Sequence, residues 1–333
     1  MKIDHFDVVL DKEHPSSPYI GGEFVVGCVK INVITKIEVA KLVVTLRGII
    51  QTGWKQKKNI NGGFESAAQV LNETLDLTKD LLIDSRDNYY LNSGLHTLSF
   101  QYKLPFDVVS SIEQENHGHV RYNIQALLEI PEDGNSEIVA ERPLTIYSYL
   151  NLDAPHLLDA TAVSGHSEIS DYCGICRNKK RFVHLNVVVS HLGLFPGDKC
   201  SLQIEVDYNH NSNCCNPLKR HKNKATKCIS VTFCQQITFK SRNRFDFRMV
   251  EEKSITLALS SQTFHQESSS KPKTTKTIDF IVPTSIPPTT VNDNELITCC
   301  YFYKVYSKHF HVVVPIIIGS VKTEDEREDD LGL

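Results

Sequence analysis

Residues 122–130 read YNIQALLEI, and every second position from Tyr122 to Ile130 is occupied by an apolar side chain. Polar Asn123, Gln125 and Glu129 lie between them. An alternation of period two is typical of a strand that buries one face in an antiparallel sheet and leaves the other face in water. The stretch therefore predicts a half-buried β-strand.

The same alternation recurs along the whole chain, with turn-forming residues between the rows. Such rows are found at Gly27 to Val33, Leu42 to Leu46, Leu98 to Leu104, Val183 to Val189 and Leu202 to Val206. Many short strands with turns between them are typical of sandwiches. Since 333 residues exceed one ordinary β-domain, the sequence predicts an all-β chain of two tandem antiparallel, immunoglobulin-like β-sandwiches.

The sequence of one segment fits both a helix and a strand. In Ser66 to Leu82 the apolar residues Ala67, Val70, Leu71 and Leu75 fall near helical spacing. A strand with Leu75 and Leu77 facing inward fits the pattern equally well.

Landmarks of the first half return in the second half at a nearly constant offset. Gly22 opens a strand in the first half as Gly197 does in the second, and Tyr122 is matched by Tyr301 at almost the same separation along the chain. A repeated offset indicates two copies of one topology. We expect an N-terminal domain over residues 1–152, a C-terminal domain over 153–320 and a short acidic tail over 321–333.

Charge and hydropathy exclude several classes of protein. The formal net charge of -4 gives no general attraction to nucleic acid. The first residues are charged where a signal peptide would be apolar, and Val312 to Ile318 is far shorter than a membrane span. We expect a cytoplasmic protein, at most peripheral at the plasma membrane or endosomes, whose ten cysteines are reduced.

Signatures of catalysis are missing from the sequence. It contains no Gly-x-Ser-x-Gly elbow, no phosphate-binding Gly-x4-Gly-Lys, no dinucleotide fingerprint and no His-Glu-x2-His. We therefore expect no enzyme and no cofactor.

Two cysteine pairs are the best metal candidates. Cys173 and Cys176 have the spacing of one half of a tetrahedral zinc site, and Cys214, Cys215 or Cys228 would have to supply the other half. Because the second pair lacks a matching spacing, a reduced cysteine pair at a strand start is the favoured interpretation. The pairs His117/His119 and His309/His311 lack a third ligand in the sequence.

A basic segment between Cys214 and Lys227 is a candidate for contact with an anionic surface. Its cationic residues are Lys219, Arg220, Lys222, Lys224 and Lys227. Anionic lipid attracts such segments, although a solvated loop is the simpler interpretation.

An ordered set of motifs resembles the arrestin family, and its alpha-arrestin branch most. In the first half these motifs are Gly21-Gly22-Glu23, Leu46-Arg47-Gly48, Trp54, Leu104-Pro105 and Gly118 to Tyr122. In the second half they are Pro196-Gly197-Asp198, Pro283, Ile286-Pro287-Pro288 and Val314-Pro315-Ile316. Trp54 is expected to cap a sandwich core, and Arg121 to be a structural charge.

The resemblance implies an adaptor. Such a protein would bring membrane receptors or transporters to endosomal sorting or ubiquitination machinery, with strand edges and inter-domain concavities as its contact surfaces. No Pro-Pro-x-Tyr occurs in the sequence, so direct binding to WW-domain ligases is not expected. Two alternatives stay open, namely a redox-linked regulator with a reactive cysteine, similar to the thioredoxin-interacting branch, and a coat subunit similar to that of retromer.

Overall fold

The computed structural model describes residues 2–12, 17–55, 63–131, 136–173, 176–209, 227–266, 273–292, 295–307 and 311–320. For residues 169–173, 176–182, 208–209, 227 and 266 only the backbone is described. The chain divides into two compact units. The first unit contains Met1–Tyr149, Thr238–Lys253 and Thr290–Thr298, and the second contains Leu150–Ile237, Ser254–Thr289 and Cys299–Leu333.

Strands make up almost all of the regular structure of the described residues before residue 150. They are β1 (Ile3–Leu10), β2 (Tyr19–Ile20), β3 (Phe24–Val33), β4 (Ile37–Val39), β5 (Lys41–Lys55), β6 (Gly63–Asp76), β7 (Leu82–Ile83), β8 (Tyr89–Leu91), β9 (Gly94–Lys103), β10 (Ile112–Gln114), β11 (Gly118–Ile130), β12 (Ser136–Leu144) and β13 (Ile146–Tyr147), with one 3-10 turn at Thr78–Asp80.

The remaining residues form one helical turn and nine further strands among those described. These elements are α1 (Pro155–Leu158), β14 (Thr161–Cys173), β15 (Cys176–Val189), β16 (Gly193–Leu194), β17 (Lys199–Asn209), β18 (Lys227–Arg242), β19 (Val250–Gln266), β20 (Lys273–Ile281), β21 (Ile297–Tyr306) and β22 (His311–Ile318). The predicted all-β class is confirmed.

In the first unit, β1, β3 and β9 form one antiparallel sheet, and β10, β11, β5 and β6 form another in which β12 also pairs with β11. The alternating rows bury the expected faces, since Val29 and Ile31 of β3 and Leu46 of β5 are almost inaccessible. The row that begins at Tyr122 is buried at every alternate position to Ile130. The period-two pattern thus marks the core of this unit.

In the second half of the chain the sheets are β14-β15-β17-β20 and β16-β22-β21-β18-β19. An aromatic group fills the core of the second unit, where the ring of Tyr303 lies 4.9 Å from Phe233 and 5.2 Å from Phe280 between centroids. Such tilted contacts are the favoured arrangement of aromatic pairs.

The ambiguous segment is a strand. Residues Gly63–Asp76 pair antiparallel with β5, and they are followed by the short 3-10 turn at Thr78–Asp80 and by β7, which begins at Leu82. Leu77 is buried, as the strand alternative predicted, but Leu75 is partly exposed although it pairs with buried Val44. The reason is that β6 lies at the edge of its sheet, where solvent reaches the side chain.

The internal duplication extends to individual hydrogen bonds. The N–H of Gly22 donates to the carbonyl of Leu104 (3.2 Å), and the N–H of Leu104 donates to the carbonyl of Glu23 (2.9 Å). The second unit repeats the pair with Gly197 to Val282 (3.0 Å) and Val282 to Asp198 (2.9 Å). Gly22 and Gly197 both have positive φ, at 87° and 93°, which only glycine adopts without strain.

Candidate functional site

A cleft opens in the larger sheet of the first unit where two strands meet the same edge of β11. Strand β12 pairs with β11 as far as Leu144 opposite Tyr122, and β10 begins pairing at Ile112 opposite Val120. Arg121 lies between these pairs and faces the gap. The cleft has a volume of about 560 Å³ and is lined by Ile49, Ser111, Ile112, Glu113, Val120, Arg121, Tyr122, Asn123, Pro143, Leu144 and Thr145.

The two segments beside the gap are joined by hydrogen bonds at its far end. The N–H of Ser111 donates to the carbonyl of Ile146 (2.7 Å), and the N–H of Ile146 donates to the Ser111 hydroxyl (3.0 Å). The hydroxyls of Ser110 and Ser148 lie 3.0 Å apart and extend this link. The cleft is therefore a closed-ended recess, and its size is within the usual range for ligand pockets.

The floor of the cleft depends on a close contact between Tyr122 and a glycine. A Cβ at Gly48 would lie only 2.3 Å from Cε1 of Tyr122, so the ring rests directly on the backbone of β5. The Tyr122 hydroxyl donates to the carbonyl of Val109 (2.6 Å), and burial raises its pKa. Packing against the Tyr122 ring thus accounts for the glycine at position 48 of the motif Leu46-Arg47-Gly48.

Ile49 provides an exposed apolar wall. Between Gly48 and Ile49 the register of β5 against β6 shifts, which is the mark of a β-bulge. Ile49 is the direct partner of Arg121 in β11 and is 45% exposed, whereas the next residue, Ile50, is buried. A single exposed isoleucine needs no explanation by itself, but Ile49 extends the apolar lining of the recess to the surface.

An ion pair stands at the mouth of the cleft. The Arg121 Nε lies 2.6 Å from Oε2 of Glu113, and Nη2 lies 2.7 Å from Oε1. This bidentate contact lowers the pKa of Glu113 and raises that of Arg121. Burial lowers the pKa of nearby His119, and the charge of Arg121 adds to this while Glu113 opposes it. The sequence expectation of a structural role for Arg121 agrees with the pair, yet its guanidinium is still exposed.

The chemistry of the cleft favours binding. The apolar floor and wall can take aliphatic or aromatic side chains, and the exposed Arg121–Glu113 pair can exchange partners with a charged group at little cost, because exposed ion pairs contribute only about 0–1 kcal/mol. The lining contains neither thiol nor imidazole, so it offers no nucleophile–base pair of the usual kind.

The predicted cysteine site lies mostly outside the described residues. Cys173 and Cys176 are opposite each other where β14 and β15 join, but only their backbone is described. Cys214 and Cys215 lie outside the described residues. Within the described ranges, no three His, Cys, Asp or Glu side chains come together in a way that could hold a metal, which leaves the zinc prediction untested.

The predicted basic segment also lies mostly outside the described residues. Lys219, Arg220, Lys222 and Lys224 lie outside the described residues, and Lys227 is the first residue of β18 with only its backbone described. His309 and the tail over residues 321–333 also lie outside them. These expectations stay predictions.

Described cysteines fall into two groups. Cys200, Cys234 and Cys299 are buried, as expected for small apolar residues in strands, while Cys228 and Cys300 are exposed and Cys28 is half-buried. Burial raises the pKa of Cys299 to about 11 and also raises those of Cys200, Cys234 and Cys300. A raised pKa keeps a thiol protonated and unreactive near neutral pH.

Comparison with known families gives the class of protein. Residues 6–153 match the family described as Arrestin (or S-antigen), N-terminal domain, and residues 179–323 match Arrestin (or S-antigen), C-terminal domain. A curated relative from Caenorhabditis elegans, "Arrestin domain-containing protein 17", is 24% identical over 250 residues, which cover 73% of this chain and 54% of the relative. The chain thus spans about half the length of that relative.

Two tandem β-sandwiches with these matches define an arrestin-fold protein. The chain belongs to the arrestin family, and its similarity to an arrestin domain-containing protein agrees with the alpha-arrestin resemblance. Members of this family generally act as adaptors without catalytic activity. No helix among the described residues has the length and apolar character needed to span a membrane.

Proposed function

We propose that this protein is an adaptor that binds membrane receptors or transporters and brings them to sorting or ubiquitination machinery, and that it is not an enzyme. The cleft beside β11 is the contact site for an extended partner segment. The single observation that carries this site is the combination of an apolar recess with exposed Ile49 and the Arg121–Glu113 pair at its mouth.

The cleft suits a peptide better than a small metabolite. The ends of β10 and β12 flank it, since these strands pair with β11 on either side of Arg121, so an incoming extended segment would lie between two strand ends over a largely apolar lining. Peptides bound in this way derive affinity from the main chain and specificity from pockets for alternate side chains. We expect a segment with one large apolar residue next to a charged residue.

Proximity labelling with mass spectrometry in the protein's native cell tests this function. The wild-type chain should enrich transmembrane receptors or transporters together with sorting or ubiquitination proteins. Ile49→Asp should lose the transmembrane proteins, whereas Val139→Asp should retain them. Val139 is 47% exposed and does not line the cleft, so it matches the 45% exposure of Ile49. Neighbours limited to soluble redox proteins would contradict the adaptor proposal.

A redox-linked regulator remains the second candidate, because Cys228 and Cys300 are exposed. Against it, burial raises the pKa of Cys300, which reduces the thiolate that a mixed disulfide requires. A coat subunit predicts co-purification with fixed partners at constant stoichiometry.

A further inference from the structure

The first unit also has an exposed turn that is rich in apolar side chains. We define the apolar tip as the turn Arg242–Val250 between β18 and β19. Phe245 and Phe247 are 74% and 70% exposed, and Met249 and Val250 are exposed as well. Four large apolar residues on one short turn are far more than single exposed hydrophobics, which need no explanation.

The turn is held in place although its apolar side chains are not packed. The Asn243 side-chain oxygen accepts from the N–H groups of Phe245 (2.9 Å) and Asp246 (3.1 Å), and the N–H of Asn243 donates to the carbonyl of Met249 (2.9 Å). The Asp246 carboxylate accepts from the N–H of Arg248 (3.0 Å). These bonds fix the turn, so the phenylalanines are presented with little ordering cost on binding.

The base of the tip is fastened to β6. The N–H of Arg244 donates to the carbonyl of Gly63 (3.0 Å), the N–H of Arg242 donates to the Ser66 hydroxyl (3.0 Å), and Asn243 forms a β-bridge with Phe64. The Arg244 guanidinium pairs with Glu65. Because its backbone groups are used in this way, the tip offers side chains rather than a strand edge.

Charge indicates what those side chains meet. Within the tip, Arg242 and Arg248 accompany the apolar residues, while Arg244 pairs with Glu65 and the Asp246 carboxylate is used by the turn itself. The carboxylates that follow the tip also face cations, since Glu252 lies 3.7 Å from Lys240 and Glu251 lies 3.9 Å from Lys253. Aromatic residues favour the interface of a bilayer, where the ring reaches the acyl boundary while neighbouring cations contact phosphates. A protein groove would need a matching shape, whereas a bilayer accepts a protruding tip of any outline.

From these observations we propose that the apolar tip docks on an anionic membrane surface, with Phe245 and Phe247 entering the headgroup region and Arg242 and Arg248 contacting lipid phosphates. This contact goes beyond the adaptor function, because it would hold the protein at the bilayer before any cargo segment is bound.

Vesicle sedimentation with the full-length chain tests the proposal. The wild-type protein should bind mixed vesicles of phosphatidylcholine and phosphatidylserine, and it should not bind vesicles of phosphatidylcholine alone. Phe245→Ser with Phe247→Ser should weaken binding by about tenfold or more. Arg242→Gln with Arg248→Gln should weaken it by about 30-fold. Added salt should also weaken vesicle binding, because it screens the attraction between the arginines and the lipid phosphates. Leu95→Ser, at a site that is 69% exposed on the other sheet, should change nothing.

A fluorescent reporter locates the contact. Trp54 is the single tryptophan of the sequence, and its Nε1 has no hydrogen-bond partner among the described residues, so Trp54→Phe is a suitable background. In that background, Phe247→Trp should shift its emission to the blue when phosphatidylserine vesicles are added, and Leu95→Trp should not.

Several results would overturn the proposal. One is a wild-type chain that does not bind the anionic vesicles. Another is a set of tip variants that fold normally, by circular dichroism, and bind as the wild type does. An unchanged emission from the Phe247→Trp reporter on bound protein would assign the membrane contact to another segment. Loss of a protein partner with vesicle binding unchanged would likewise assign the tip to that partner.

Discussion

Gly48 and Tyr122 show at the residue scale how one position shapes the cleft. An added Cβ at Gly48 would meet the Tyr122 ring at 2.3 Å, and a buried ring next to backbone cannot move aside easily. We predict that Gly48→Ala lowers the free energy of unfolding by about 1–3 kcal/mol, the usual cost of overpacking. Chemical denaturation measures the change.

Gly53→Ala is the graded control in the same strand. Its added Cβ would lie 3.2 Å from the carbonyl of Phe64, so the neighbour has to shift by only a few tenths of an ångström. Alanine is otherwise favoured over glycine in a strand, so equal losses for both variants would show that the Tyr122 contact is not what sets the cost.

The ionisation of Glu295 should couple to the stability of the first unit. Burial raises the pKa of Glu295 from 4.5 to about 7. The folded state therefore binds this proton more tightly than the unfolded state. The stabilisation is fully present below the unfolded pKa of 4.5 and is lost as the pH rises through about 7.

We predict that Glu295→Gln flattens the fall in stability between pH 5 and pH 8 and makes the protein more stable than the wild type at pH 8. Denaturation at these two pH values measures this. Glu113→Gln is not a suitable control, because Arg121 lowers the pKa of Glu113. Glu137 is exposed on β12, so Glu137→Gln should leave the profile unchanged. A wild-type stability that rises with pH over this range would contradict the prediction.

At the element scale, the duplicated tyrosines anchor corresponding strands. The Tyr122 hydroxyl donates to the carbonyl of Val109 and the Tyr301 hydroxyl donates to that of Pro287, both at 2.6 Å. Tyr301 also accepts from the Gln235 amide (3.0 Å) in the core. The Tyr301 hydroxyl thus forms hydrogen bonds with Pro287 and with Gln235, whereas that of Tyr122 bonds to Val109.

We predict that Tyr122→Phe costs about 1 kcal/mol of its unit's stability and that Tyr301→Phe costs more, because it removes a partner from the buried Gln235 amide as well as from the half-buried Pro287 carbonyl. Unfolding curves followed by circular dichroism measure both changes. Tyr306→Phe, at a partly exposed position, should cost little. A larger loss from Tyr122→Phe than from Tyr301→Phe would refute this ranking.

Much of the element pattern was predictable from sequence, because burial of one sheet face leaves a period of two at Tyr122 to Ile130 and in the other rows. The cleft was not predictable, since it depends on where β12 leaves β11 and β10 joins it. The apolar tip was missed because Phe245, Asp246, Phe247 and Arg248 alternate as an ordinary strand does. Exposure of both phenylalanines follows from a turn whose position the alternation does not reveal.

At the scale of the whole molecule, the cysteines separate the adaptor from the redox alternative. We predict that exposed Cys228 reacts with a small alkylating agent in the native protein, that Cys300 reacts more slowly because its pKa is raised, and that Cys200, Cys234 and Cys299 react only on unfolding. Peptide mass spectrometry after timed labelling measures each site. Reaction at Cys228 or Cys300 much faster than that of a free thiol would instead indicate an activated cysteine and favour the redox regulator.

Site-specific photocrosslinking in the native cell tests most directly whether the cleft beside β11 receives segments of membrane cargo. A benzoyl-phenylalanine replaces Ile49 in one chain and Val139 in another, and the crosslinked proteins are identified by mass spectrometry. We predict crosslinks from position 49 to segments of transmembrane receptors or transporters, and few or none from position 139. No crosslinks from position 49, or the same crosslinks from both positions, would contradict this role of the cleft.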